Sequence, residues 1–135
     1  VATVFVYGTL KRGERNQSRL AAATFLGPAI TRDFRFAMAV YASVSRPGAR
    51  TPEVAAGGAW RIAGELYAVS PALLAELDAF ERVGTDYQRQ SVPLLGGGMA
   101  EIYLRASAAI RPALAPAQHL LLRDAVASWS ERLSA

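Results

Sequence analysis

Val4-Phe5-Val6-Tyr7-Gly8-Thr9-Leu10-Lys11-Arg12-Gly13 is the stretch from which the rest of the chain is read. Val4, Phe5 and Val6 are β-branched or aromatic and predict a buried strand. The apolar run stops at Gly8 and becomes a polar loop bounded by a second glycine, Gly13. Glycine takes backbone angles that other residues avoid and lets main-chain N–H groups approach a ligand, so the loop after this strand is expected to bind an anion. Arg12, Arg15 and Arg19 cluster beside it and suit the steering of an anionic small molecule.

Outward from this loop, residues 17–25 are alanine-rich and predict a helix, with Asn16 placed as its N-cap and Gly27-Pro28 as its end. Residues 29–42 alternate in the manner of a half-buried strand, or of two strands bent near Asp33. Residues 45–58 contain Pro47, Gly48, Pro52, Gly57 and Gly58 and are expected to form a long loop, either a lid or a mobile segment. Residues 60–69 are apolar on both faces, as in a strand covered on two sides. Ser70-Pro71 then gives a cap and a first helical residue, and Leu73, Leu74, Leu77 and Phe80 form a stripe at helical spacing that Gly84 is expected to stop. Residues 87–95 and 99–105 straddle Gly96-Gly97-Gly98 and predict a hairpin. Residues 108–116 are linker-like, and a final helix is expected over 116–133, with Leu120, Leu121, Ala125, Val126 and Trp129 on one face. Strands with interspersed helices, without regular alternation, favour an α+β fold.

Composition narrows the function. The 135 residues suit one domain, 1–135, with a core that needs no disulfide or metal staple. Cysteine is absent, which excludes thiol nucleophiles, thiolate metal sites and disulfides and fits a cytoplasmic protein. No apolar run approaches the roughly 20 residues that span a membrane, and the strand-like run starts too early for a secretory leader. The net charge of +4 comes almost wholly from arginine, since Lys11 is the only lysine. Beyond the first loop the arginines are scattered among acids with no aromatic-interleaved basic stripe, which argues against nucleic acid as a partner. The only histidine, His119, has no carboxylate at suggestive spacing and is expected on a surface. No Gly-x-Ser-x-Gly, dinucleotide or phosphate-loop motif is present, so no cofactor and no metal are expected.

Glu81 is the misfit of the predicted helix. At about 100° per residue it lies one turn beyond Leu77, on the core-facing stripe, whereas Glu76 and Asp78 reach water more easily. It also falls at the C-terminal end, where the helix dipole disfavours negative charge. Burial and dipole together raise the proton affinity of this carboxylate toward neutrality, the condition for proton shuttling. The residues alone leave an alternative: Glu81 forms a structural ion pair with Arg82, Arg89 or Arg105, or turns to solvent at a break of the helix.

Three separated motifs carry a resemblance. Tyr7-Gly8-Thr9-Leu10 with Asn16 downstream, Gly64-Glu65-Leu66-Tyr67, and Leu77-Asp78-Ala79-Phe80-Glu81 followed by Tyr87-Gln88-Arg89 resemble, in order and spacing, the motifs of the γ-glutamylcyclotransferase-like family over residues 4–103. The resemblance implies a small mixed β-barrel with flanking helices, the first loop and the carboxylate helix meeting at one open end. It implies an enzyme that releases 5-oxoproline from a γ-glutamyl amine or γ-glutamyl amino acid, a small-molecule substrate, with Glu81 as acid/base. Tyr7 and Tyr87 then line or close the pocket, and the main chain of Gly8, Thr9 and Leu10 holds the substrate carboxylate or the developing oxyanion. Family members commonly carry glycine directly after the glutamate, where this chain has Arg82.

Each of these residues has a plainer reading. Tyr7 is otherwise a strand-end aromatic and Tyr87 a core strand aromatic; Thr9 closes a turn; Asn16 caps a helix; Arg89 anchors structure. Glu65, inside a strand apolar on both faces, is expected to pair with an arginine. The rival functional reading is a non-catalytic ligand-binding or interaction domain on the same fold.

Overall fold

The computed structural model describes residues 1–42, 48–105 and 120–131. Strand β5 (Arg61–Val69) is the hub around which the sheet is built. Strand β1 (Ala2–Val6) runs antiparallel to it, in a register that sets Phe5 against Leu66 and Val6 against Glu65. On its other side β1 lies parallel to β7 (Met99–Arg105), which pairs with β6 (Tyr87–Pro93) across the three-glycine turn. Gly96, Gly97 and Gly98 there take φ of 89°, 112° and 87°, a left-handed run that only glycine adopts without strain. The sheet curls into a half-barrel, as its mixed connections and the bridges Thr31–Leu94 and Phe36–Trp60 require.

Covering both faces of β1 and β5 produces two apolar clusters. Phe5, Phe36, Val54, Ile62, Ile102 and Trp129 fill the inside of the curled sheet. Val4, Val6, Tyr67 and Val69 point the other way, against Leu73 and Leu77 of helix α1 (Pro71–Phe80) and against Leu10 and Leu20. Ser70 caps α1 as its sequence predicts, its hydroxyl accepting from the Leu73 N–H at 3.1 Å.

Four expectations are corrected. Residues 17–25 are not a helix: a single 3-10 turn over Gln17–Leu20 gives way to β2 (Thr24–Ile30), which pairs with β5. The ladder partner offered by β5 outweighs an alanine preference too short to nucleate a stable helix. Asn16 is no side-chain cap; its Nδ2 donates instead to Thr9 Oγ1 at 3.0 Å. The predicted loop contains β4 (Arg50–Ala56), paired antiparallel with β3 (Phe36–Ala42); residues 43–47 lie outside the described residues. Within the final predicted helix stands a hairpin of β8 (Leu120–Arg123) and β9 (Val126–Trp129), β9 lying parallel to β5. Residues 108–116, the start and end of that predicted helix, and His119 lie outside the described residues. The bend near Asp33 is a full break between β2 and β3.

Candidate active site

The first strand delivers its loop to one end of the half-barrel, and α1 ends at the same place. A cavity of about 540 Å³ opens there, lined by Tyr7, Gly8, Thr9 and Leu10 from the first loop, by Glu81 and by Tyr87. All six of the singled-out site residues therefore meet in one space, although they are scattered through the sequence.

Within the loop, the Asn16 N–H donates to the Thr9 carbonyl at 2.9 Å and the Lys11 N–H to the Gly8 carbonyl at 3.1 Å, which closes the chain into a tight turn. Leu10 is buried in the outer apolar cluster, so only its main chain serves the cavity. Gly8 is glycine for a reason other than the one its sequence suggests, because its φ is not in the left-handed region. Space is the constraint: a Cβ at position 8 would sit 2.7 Å from Cγ of Pro52 on β4. Gly8→Ala must push the β4 ring or the loop aside, and is expected to cost about 1–3 kcal/mol of stability with a raised KM. Thermal unfolding checks the first effect, and an alanine protein as stable as wild type would refute the close approach.

Tyr7 is buried, and its hydroxyl donates to the Tyr103 carbonyl at 2.6 Å, so it forms the floor. Burial, then the neighbouring Tyr87 and Glu81, push its phenol well above the ordinary range, so it stays neutral. Tyr87 reaches across the cavity and donates to Glu53 Oε1 at 3.1 Å.

Glu81 is the C-cap of α1, its N–H donating to the Leu77 carbonyl at 2.9 Å. Its half-buried carboxylate forms no hydrogen bond or ion pair among the described residues. Burial pushes it up to about 7, the Glu53 carboxylate adds to the rise, and Arg19 opposes it. The three arginines that stood as structural partners are engaged elsewhere. Arg82 takes a left-handed φ of 54°, which ends the helix before Gly84 and swings its guanidinium to Asp86 at 3.4 Å. Arg89 pairs with Asp78 at 2.9 Å and with Glu101 at 2.5 Å, and Arg105 pairs with Glu53 at 3.1 Å. Arg89 is thus a structural anchor. Asp78 is less open to water than its helical position suggests, since it also accepts from the Tyr103 hydroxyl at 2.8 Å. Glu65 accepts from the Arg12 main-chain N–H at 2.8 Å, a hydrogen bond where an arginine side chain is expected.

Comparison with known proteins gives the family. The model of the family described as Gamma-glutamyl cyclotransferase, AIG2-like, matches residues 4–129. The chain belongs to that family. A Vibrio cholerae protein named "Putative gamma-glutamylcyclotransferase" is 35% identical over 89 residues, which cover 66% of this chain and 70% of the relative. Among solved structures, a mouse AIG2-like protein superposes with a TM-score of 0.66 at 26% identity, covering 80% of this chain and 79% of its own. An uncharacterized Pyrococcus horikoshii protein shares the fold at 23% identity and a TM-score of 0.60, over 79% of this chain and 80% of its own. A Kluyveromyces lactis allophanate hydrolase contains the same fold in 18% of its length, with 19% identity, a TM-score of 0.66 and 79% of this chain covered.

The cavity also holds Glu53, which the sequence did not single out, together with groups that it named only in other roles. Glu53 and Pro52 come from β4, inside the stretch expected to be a loop, and Arg105 comes from the end of β7. Arg15 crosses from the first loop to donate to the Arg50 carbonyl at 2.6 Å and to Thr51 Oγ1 at 2.9 Å. The available signal was the pair Thr51 and Val54, β-branched residues enclosing a lone acid; the surrounding prolines and glycines hid it. Among the described residues no cluster of three or more histidine or acidic side chains could hold a metal ion, and no helix is long and apolar enough to cross a membrane.

Proposed function

We propose that the protein is a cyclotransferase that releases 5-oxoproline from a γ-glutamyl amine or a γ-glutamyl amino acid, with Glu81 carrying both proton transfers. The observation that supports this reading is a carboxylate without an arginine ion-pair partner among the described residues, poised near neutrality in a cavity that also holds a tight main-chain loop. The reaction asks for little more. The γ-glutamyl head binds folded, with its α-amine against its own γ-carbonyl. Glu81 takes a proton from the α-ammonium, and the freed amine attacks the γ-carbon. The carbon–nitrogen bond of the five-membered ring forms, the amide bond to the leaving amine breaks, and Glu81 passes to that amine first the proton it holds and then the second proton of the ring nitrogen, so the amine leaves as its ammonium and the ring nitrogen keeps one proton. No enzyme nucleophile is needed, because the attacking group belongs to the substrate. The main chain of Gly8, Thr9 and Leu10 holds the α-carboxylate or the oxyanion, Tyr7 walls the site, and Tyr87 closes over the substrate.

A screen of γ-glutamyl amines and γ-glutamyl amino acids, read by 5-oxoproline release, tests the proposal. Turnover of at least one class is expected. Saturable binding across the screen without 5-oxoproline would overturn it in favour of a non-catalytic binding domain.

A further inference from the structure

Glu53 is an unusual residue to find on a strand that packs into the barrel. Only 4% of its surface is exposed, and its Oε1 accepts both from the Tyr87 hydroxyl and from Arg105 Nη1, each at 3.1 Å. A buried ion pair gains little net stability over an apolar pair of the same volume, so stability alone does not account for one placed against the cavity. The cluster joins three strands, β4, β6 and β7, at the wall that faces the end of α1. Pro52, which sets the limit on residue 8, is its chain neighbour, so the strand that packs on the anion loop also carries this acid into the cavity.

We propose that Glu53 is a positioning residue of the site: anchored by Arg105, it holds the Tyr87 hydroxyl over the cavity and supplies a fixed negative charge that acts on the Glu81 carboxylate. This rests on the proposed role of Glu81. Two acids in one low-dielectric space resist simultaneous ionisation, so a carboxylate tied to a cation and a hydroxyl makes its neighbour harder to ionise. An arriving α-ammonium enters between them and relieves that repulsion, so Glu81 becomes a base when substrate is present. The other groups around Glu81 do not supply that negative charge. Tyr7 from the first loop and Tyr87 and Tyr103 from β6 and β7 are phenols that burial pushes up in proton affinity, and they remain neutral. Arg19, from the 3-10 turn, stacks on the Phe80 ring at 3.8 Å and works against Glu53. Arg82 and Asp86 neutralise one another at the helix end, and Arg15 is held by main-chain and hydroxyl oxygens of β4.

Glu53→Gln separates charge from shape, because the amide oxygen still accepts from Tyr87 and Arg105. Carbon-detected NMR titration of the carboxyl groups in the substrate-free protein reads Glu81 directly. The midpoint of Glu81 is expected to fall by about one pH unit in the variant, a tenfold loss of proton affinity. Where turnover is measurable, the acidic limb of kcat/KM moves down by the same amount. A Glu81 midpoint unchanged in folded Glu53→Gln protein overturns the proposal and leaves Glu53 as a structural ion pair. Should loss of the Glu53–Arg105 ion pair prevent folding, Glu53→Gln with Arg105→Met removes both charges. With the opposing Arg105 cation removed as well, a smaller downward shift of the Glu81 midpoint is expected, and an unmoved one again overturns the proposal. Because the titration needs no substrate, failure of the whole screen for 5-oxoproline would refute the proposed activity without deciding this point.

Discussion

Glu81→Gln protein folds, retains ligand binding and turns over about two to four orders of magnitude more slowly than wild type, the loss expected when a general acid/base is removed. The expectation of intact folding has a structural basis. The carboxylate makes no hydrogen bond or ion pair among the described residues, so replacing it with an amide of the same shape breaks no such contact there. The apolar stripe that docks α1, with Leu73 and Leu77 buried, is untouched. Single-turnover kinetics separates the chemical step from binding. Turnover within a few-fold of wild type, in a protein with unchanged thermal unfolding, would end the assignment of Glu81 as the proton carrier.

The second large effect is on stability against pH, with a sign that distinguishes the two readings of Glu81. In the folded protein this carboxyl is pushed up from 4.5 to about 7. Between those values the folded state holds a proton that the unfolded chain has released, so stability falls as pH rises through that window. The stability that the protonated carboxyl contributes is complete below about pH 4.5 and lost above about pH 7, a change of about 3 kcal/mol at most. Glutamine has no such dependence. Relative to wild type, Glu81→Gln protein therefore gains stability from pH 4.5 to 7, measured by denaturant unfolding at matched ionic strength. A variant that instead loses ground over that range would mean a carboxylate stabilised by a cation, and the structural reading would replace the catalytic one.

What the residues disclosed depended on how local their causes are. Helix α1 was legible because Ser70, Pro71 and the leucine stripe specify start, first turn and buried face within a few positions of one another. The β6–β7 hairpin announced itself through three glycines. Strand β2 did not, since the partner that makes residues 24–30 a strand is β5, far off in sequence. The hairpin over 120–129 was hidden by its turn, where Asp124 and Ala125 hold φ of 53° and 61° without the Asn-Gly or Asp-Gly pair that usually marks such a reversal. Short apolar runs flanking an unmarked turn have the spacing of a helix face as readily as that of two strands. The site divides in the same way. Tyr7, Gly8 and Glu81 stood out from pattern and motif, but Glu53 is recognisable only once β4 is seen to lie against the first loop.

The first loop is tied down at its far side as well. Glu14, buried behind the loop, accepts from the Ser130 hydroxyl at 2.8 Å and from the Glu131 N–H at 3.2 Å, and Lys11 Nζ donates to the Trp129 carbonyl. These contacts join positions 116 to 118 residues apart, which makes the first loop one of the longest closures in the fold. Closing so long a loop costs chain entropy before any contact is returned, and folding slows as contacts grow more distant in sequence. The mouth of the cavity should thus be among the last parts to consolidate: in refolding, the amides of residues 9–14 become protected from hydrogen exchange after those of the local β6–β7 hairpin. A chain emerging from the ribosome would already carry α1 and its glutamate, yet could not set its first loop until the β9 end had docked.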